Sequence, residues 1–114
     1  MSEQEIDLIQ GTLTVLILRT LSWGPMNGYA IGRWIRDTTD GAIKVEEGAL
    51  YPALHRMEHR GWIEAEWGTT ENGRRARFYS LTSLGRRQLR ARVQGWERLV
   101  TAMTKALRAS PRPT

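Results

Sequence analysis

Two short segments of this sequence each bring together several side chains that could do chemistry, and most of these side chains are cations. One segment is His55-Arg56-Met57-Glu58-His59, and the other is Arg74-Arg75-Ala76-Arg77. Arginine donates paired hydrogen bonds to phosphate or to the edge of guanine, and histidine binds metal ions or forms hydrogen bonds. These residue types therefore indicate either an anion-binding surface or a metal site.

A metal site is the weaker interpretation. The first segment matches the H-x-x-E-H pattern of one class of zinc hydrolases, with His55 and His59 four residues apart. A catalytic zinc also needs a third ligand and a substrate cleft, and no later helix offers a matching acid. Cysteine is absent, and there is no Ser-His-Asp set or phosphate loop. We interpret the match as chance, and we expect no enzyme, no metal and no cofactor.

The segment around His55 has the pattern of an amphipathic helix. Its apolar positions recur at helical spacing and are Leu50, Ala53, Leu54 and Met57. Its opposite face is small and then basic, and consists of Ala49, Pro52, His55, Arg56 and His59. Gly61 stands where a glycine would end the helix. The spacing thus predicts a short helix whose outer face carries no large apolar side chain.

A hairpin is predicted directly after this helix. Residues 62–67 alternate as a strand, residues 76–81 form its partner, and residues 68–75 make a loop with an Asn72-Gly73 turn. A helix with a clear outer face, followed by a hairpin with an arginine tip, is the order of a winged helix-turn-helix. We expect the helix to enter a DNA major groove and the arginines to contact phosphates or a minor groove.

The preceding residues supply elements to hold this helix. Residues 8–21 form a first helix that is apolar on nearly every side, with Leu8, Val15 and Leu18 outside its main face. A second helix covers residues 28–37 behind Asn27, whose side chain is a good N-cap and whose neighbouring free N–H groups would suit a phosphate. Ile43-Lys44-Val45 alternates and is a candidate strand.

The last helix is predicted from Thr82 to about residue 107. A heptad seam runs along it through Leu89, Val93, Trp96, Val100, Met103 and Leu107. A helix of about 25 residues is about 38 Å long, which is too long for so small a body to cover. The seam is therefore predicted to pair with the same helix of a second copy.

The length, net charge and isoelectric point of the chain agree with this interpretation. The chain has 114 residues, a net charge of +5 and a pI near 10.4, and such a basic balance favours nucleic acid or an anionic membrane as partner. The N-terminus is acidic, unlike a signal peptide, and no apolar run approaches a membrane span. The protein is expected in the cytoplasm. A basic membrane-surface or protein-interaction module is the competing hypothesis, but it leaves the hairpin and the seam unexplained.

The sequence resembles the PadR family of bacterial transcriptional regulators over about residues 6–108. The resemblance rests on Leu13-x-x-Leu16-x-Leu18, Gly28-Tyr29-x-Ile31, Gly48-x-Leu50-Tyr51-Pro52-x-Leu54-x-Arg56-Met57-Glu58-x-x-Gly61-Trp62-Ile63, Glu66-Trp67, Asn72-Gly73-Arg74-Arg75, Tyr79 and Leu81-Thr82-x-x-Gly85. It implies an α+β, mostly α, winged helix-turn-helix that binds double-stranded DNA as a homodimer, represses a nearby operon and releases DNA when a small molecule binds. The single last helix resembles the compact subgroup of that family.

The combined expectations assign residues 6–81 to DNA binding, residues 82–108 to a dimerisation helix and residues 109–114 to a disordered tail. The candidate DNA contacts are Asn27, Gly28, Tyr29, Ala49, Tyr51, Pro52, His55, Arg56, Arg74, Arg75 and Arg77. The candidate dimer interface consists of Leu8, Leu89, Val93, Trp96, Val100, Met103 and Leu107.

Trp96 has two competing interpretations. An indole is bulky for a heptad seam, so Trp96 either plugs the dimer interface or stacks on a planar aromatic effector held between the two copies. The resemblance supports the second interpretation, because multidrug-sensing relatives have a comparable interface tryptophan. Val15, Arg19 and Val93 are expected to line the same space.

Overall fold

The computed structural model describes the backbone of residues 3–111 and the side chains of residues 11–111. Its elements are α1 (Glu3–Leu21), β1 (Met26–Asn27), α2 (Gly28–Thr38), α3 (Glu47–His59), β2 (Ile63–Thr69), β3 (Arg75–Leu81) and α4 (Ser83–Arg108). This arrangement confirms the predicted fold class, a mostly helical winged helix-turn-helix with a long last helix. The Leu8 side chain and residues 112–114 of the predicted tail lie outside the described residues.

One apolar core joins the first three helices to the hairpin. On α1, Leu13, Ile17 and Leu21 recur at helical spacing and are buried. Leu18 is also fully buried, although the pattern placed it away from the core face. The reason is that α1 packs against α2, α3 and α4 at once, so the chain itself covers more than one side of α1.

Local hydrogen bonds define where α2 begins and where α3 ends. The side chain of Asn27 accepts a hydrogen bond from the Ala30 N–H at 2.8 Å, which confirms it as the N-cap of α2. Helix α3 is closed by Arg60 as its C-cap and by Gly61 after it, whose φ is +75°. There the Gly61 N–H donates to the Glu58 carbonyl at 3.0 Å and the Trp62 N–H to the Met57 carbonyl at 3.0 Å. This is the Schellman pattern, and it directs the chain from α3 into the hairpin.

The sheet has three antiparallel strands in the order β1-β3-β2. Besides the two strands of the predicted hairpin, the sheet contains the short strand β1, in which Met26 lies opposite Tyr79 and Asn27 opposite Phe78 of β3. The strand predicted at Ile43-Lys44-Val45 is wrong, because that segment has no strand partner and no regular structure. Its alternation reflects burial alone, since Ile43 and Val45 pack against the core.

The hairpin faces the core only near its base. Ile63, Tyr79 and Leu81 are buried, whereas Trp67 keeps 60% of its surface exposed. The predicted loop is also too long, since Gly68 and Thr69 continue β2. Strands β2 and β3 therefore extend past the core as a projecting hairpin, which we call the wing.

Helix α4 begins against the end of α3. The Thr82 hydroxyl lies 2.6 Å from the Gly61 carbonyl and 3.0 Å from that of Trp62, and its oxygen accepts from the Gly85 N–H at 3.0 Å. The Arg92 guanidinium stacks over the Trp62 ring at 5.0 Å. The N-cap predicted at Thr82 is confirmed, and the same residue joins α4 to the segment that directly follows α3.

The far half of α4 leaves the body of the chain. The chain extends 66 Å along its longest axis and only 28 Å and 26 Å along the others. Leu89 and Val93 are half-buried, but the later seam residues are exposed and are joined by Leu99: Trp96, Leu99, Val100, Met103 and Leu107. No helix within residues 3–111 combines the length and apolar character needed to cross a membrane.

Candidate DNA-binding surface

The outer face of α3 is open. Ala49, Pro52, His55, Arg56 and His59 are all exposed, while Leu50, Ala53, Leu54 and Met57 on the opposite face are buried. Pro52 has no N–H to donate, so the carbonyl four residues earlier, at Gly48, loses its intrahelical partner on the exposed first turn. The helix thus presents small side chains near its N-terminus and basic ones further along.

Tyr51 links the start of α3 to the start of α2. A Cβ added to Gly28 would lie 2.7 Å from the Tyr51 hydroxyl oxygen and from its ring atom Cε1. Only glycine at position 28 therefore lets the ring approach the N-terminus of α2. Tyr51 packs there and still exposes 39% of its surface, and Tyr29 beside it is 71% exposed.

The wing ends in a short turn between Thr70 and Arg74. The Thr70 N–H donates to the Arg74 carbonyl at 2.8 Å, and the Arg74 N–H donates to the Thr70 hydroxyl at 3.1 Å. Gly73 adopts a φ of +77°, which its place in the predicted Asn-Gly turn requires. The turn leaves the Arg74 side chain exposed at the tip of the wing.

The two arginines of β3 are held differently. The Arg75 guanidinium lies over the Trp67 ring, 4.8 Å from its centroid. Arg77 instead forms an ion pair with Glu58 of α3, with its Nη2 2.9 Å from the carboxylate Oε2. Arg77 therefore already has an acidic partner in the free chain and joins the wing to α3.

Tyr79 stays neutral at the base of the wing. Burial raises the pKa of its hydroxyl above the ordinary value of 10.0, and the nearby Arg77 guanidinium offsets this only in part. Because the folded pKa is raised, the stability contributed by the neutral side chain is complete below about pH 10 and is lost as the pH rises through the folded pKa.

A groove of about 1100 Å³ lies between the wing and the starts of α2 and α3. Eight of the eleven predicted DNA contacts line it: Asn27, Gly28, Tyr29, Tyr51, His55, Arg74, Arg75 and Arg77. Ala49, Pro52 and Arg56 are not part of its lining and lie on the exposed face of α3. The groove also contains Arg33 and Trp67, which sequence reasoning missed. Its lining holds four arginines and one carboxylate, Glu71. Arg33 and Arg77 are paired with Asp37 and Glu58, so the charge that suits an anion comes mainly from Arg74 and Arg75.

The residues predicted to hold an effector are not enclosed by a single copy. Arg19 lies over the ring of Trp23, 4.7 Å from its centroid, and Trp96 is 43% exposed. Val15 and Val93 are half-buried. Within the described part of the chain, α1 and α4 therefore supply at most one wall of such a site.

The H-x-x-E-H segment does not assemble a metal site in this geometry. The carboxylate of Glu58 is paired with Arg77, and His55 and His59 are exposed on α3. Among the described residues there is no group of three or more acidic, histidine or cysteine side chains that could hold a metal ion.

Known proteins are similar to this chain in sequence. Residues 17–91 match the model of the transcriptional regulator PadR-like family. The chain is 33% identical over 90 residues to an uncharacterized protein of Lysinibacillus sphaericus, and the alignment covers 79% of this chain and 83% of that protein.

Solved structures give the same result. A transcriptional regulator from Clostridium thermocellum superposes with a TM-score of 0.78 at 31% identity, over 87% of this chain and 96% of that one. A PadR family transcriptional regulator from Eggerthella lenta superposes with a TM-score of 0.76 at 30% identity, over 94% and 91% of the two chains.

Proposed function

The chain belongs to the PadR-like family of transcriptional regulators, and on that premise we propose that it reads duplex DNA with α3 and grips the backbone with the wing. The observation that carries the proposal is the open face of α3 beside a groove edged by the exposed Arg74 and Arg75 of the wing. A regulator of transcription acts where the chromosome lies, and we place this one in the cytoplasm.

The contacts divide by chemistry. Arg56 lies on the exposed face of α3, where a guanidinium can pair with the edge of a guanine. The Asn27 cap, the N-terminal N–H groups of α2 and the arginines of the wing suit phosphates, which fix register rather than sequence. Base recognition is therefore assigned to α3, and most of the affinity to the wing and α2.

A second copy of the chain is the proposed cover for α4. The exposed seam from Trp96 to Leu107 continues from half-buried Leu89 and Val93, and a two-fold axis would pair it with itself. Such a pairing would present two α3 helices to successive major grooves. By analogy with its family, the dimer would act as a repressor that binds operator DNA.

The proposed effector site lies between the two copies, around Trp96. Two indoles near the axis, with Val93, the half-buried Val15 and the exposed Arg19 of α1, would take a planar aromatic compound. Stacking and cation–π contacts would contribute about 0.5–2 kcal/mol beyond area burial. Such a ligand changes DNA affinity only if it prefers one angle between the α4 helices.

Removing the exposed arginines of the wing should change how salt affects DNA binding. The double variant Arg74→Ala/Arg75→Ala should weaken binding to every duplex, because phosphate contacts are independent of sequence. It should flatten the slope of log affinity against log salt by about one unit for each lost contact. Fluorescence anisotropy with a labelled random-sequence duplex, between about 50 and 200 mM salt, measures this slope.

The matched control is Arg98→Ala/Arg108→Ala, which removes the same charge from exposed positions of α4. This control should leave the slope close to that of the wild type. Equal slopes for all three proteins would contradict the assignment of phosphate contacts to the wing. Equal flattening in both variants would mean that net charge alone governs binding.

Planar aromatic dyes should quench tryptophan fluorescence mainly through Trp96. Quenching should fall strongly in Trp96→Ala, because the stacking surface is gone, and should persist in Trp23→Ala, which removes another exposed indole. A titration of the three proteins with a dye panel tests this. If quenching is unchanged in Trp96→Ala, the effector site lies elsewhere.

A further inference from the structure

The inner face of the wing carries an exposed aromatic side chain between two arginines. Trp67 lies opposite Arg77 in the ladder, and Thr69 lies opposite Arg75. Because residues opposite each other and residues two apart share one face of a strand pair, Trp67, Arg75 and Arg77 project to the same side. This is the side that packs on the core at Ile63 and Leu81.

Trp67 lies beyond that core. It is 60% exposed, so burial explains little of its presence, and a smaller polar residue would suit a solvated strand as well. Its defined contact is with Arg75, whose guanidinium carbon is 4.8 Å from the ring centroid. That distance is within the range of about 6 Å over which a cation is attracted to an aromatic face.

The backbone around Trp67, on the edge strand β2, is tied to its surroundings at two points. Arg77, its cross-strand partner, is paired with Glu58 of α3 at 2.9 Å. On the other face of the wing, the Phe78 ring lies close against Gly68, where an added Cβ would be 2.8 Å from Phe78 Cδ2. The strand pair that carries Trp67 is therefore tied to α3, and this places the indole and the Arg75 guanidinium over it beside the groove.

We propose that Trp67 is a positioning residue that holds the Arg75 side chain extended along the groove before DNA arrives. This inference rests on the proposed DNA-binding function and assigns a role within it. A free arginine loses much rotamer freedom when it is immobilised on a phosphate, and a guanidinium already stacked on a ring loses less. Arg75 is thus prepared for contact by Trp67, whereas Arg77 braces the wing through Glu58.

Substituting Trp67 tests this role in two steps. Trp67→Leu should weaken binding to a labelled duplex of about three helical turns by about two- to fivefold, the size expected of an exposed cation–π contact. The slope of log affinity against log salt should not change, because Arg75 still reaches its phosphate. Trp67→Phe retains an aromatic face and should restore affinity to within about twofold of the wild type.

A double-mutant cycle separates positioning from direct contact with DNA. In an Arg75→Ala background, Trp67→Leu should cause no further loss, since there is no guanidinium left to position. In the free protein, the Arg75 Nε–H resonance, assigned by its absence in Arg75→Ala, should be shifted by the ring current in the wild type and in Trp67→Phe. It should move to its ordinary position in Trp67→Leu.

Three results would overturn the inference while the wild type still binds duplex. In the Arg75→Ala background, Trp67→Leu could reduce the affinity for duplex as much as it does alone. Otherwise, Trp67→Leu could bind as tightly as the wild type, or Trp67→Phe could bind as weakly as Trp67→Leu. Failure of the proposed function looks different, because the wild-type protein itself would then show no salt-dependent duplex binding. Equal thermal midpoints of unfolding in the wild type, Trp67→Leu and Trp67→Phe ensure that the comparison reports on the position of Arg75.

Discussion

Replacing Gly85 with alanine should destabilise the folded protein by about 3 kcal/mol, the upper part of the usual range for an overpacked site. Gly85 is buried at the start of α4. A Cβ there would run into the carbonyl oxygen of Trp62 and would also come within 3.1 Å of Leu81 Cδ2. The obstructing oxygen belongs to the backbone, so no rotamer change relieves the clash.

That carbonyl cannot retreat without further loss. It accepts a hydrogen bond from the Thr82 N–H at 3.1 Å and lies 3.0 Å from the Thr82 hydroxyl that caps α4. Moving it would disrupt both the cap of α4 and the end of α3. In a domain of this size, the thermal midpoint should fall by about 15 °C, measured by circular dichroism at one protein concentration.

Gly95→Ala is the matched control in the same helix. Apart from its chain neighbours and the backbone of its own helix, no heavy atom lies within 4 Å of a Cβ built at Gly95, so the substitution should raise stability by about 0.5–1 kcal/mol through helix propensity alone. If Gly85→Ala changed stability only slightly, or by the same amount as Gly95→Ala, α4 would not pack on Trp62 as described.

Replacing Val100 and Met103 together with glutamate should dissociate the proposed dimer. Each copy would place two carboxylates in the seam, where burying an unpaired charge costs several kcal/mol. The dissociation constant of the dimer should rise by at least about 1000-fold, which sedimentation velocity would report as a shift from dimer to monomer.

Thr101→Glu/Ala102→Glu adds the same charge at exposed neighbouring positions outside the heptad seam. This control should remain dimeric. A seam variant that stays dimeric at the concentrations used for the wild type would place the interface elsewhere.

Local chemistry made much of the fold predictable. The spacing of Leu50, Ala53, Leu54 and Met57 defined the buried face of α3, and Thr82 marked the start of α4, because helix periodicity and caps depend on residues a few positions apart. Strand β1 gave no such signal. Its two residues form a strand only because β3, about fifty residues later, pairs with them.

In the candidate site, too, the features that depend on neighbouring residues were predictable and those that depend on the fold were not. Residue type and an Asn-Gly turn identified Arg74 and Arg75 as a basic tip, since these signals are local. The pairing of Arg77 with Glu58 joins residues from two elements, and only the fold brings them together. Trp67 was missed because strand alternation gives the side on which a residue lies but not where the core along that side ends.

Selection of binding sites from a library of random duplexes tests the central claim most directly. If two α3 helices read DNA from a two-fold dimer, the wild type should enrich an inverted repeat whose half-sites are about one helical turn, ~34 Å, apart. Arg56→Ala should blur one position in each half-site. Enrichment of a single unsymmetrical element, of no sequence at all, or of the same repeat with undiminished preference in Arg56→Ala would contradict the proposed arrangement.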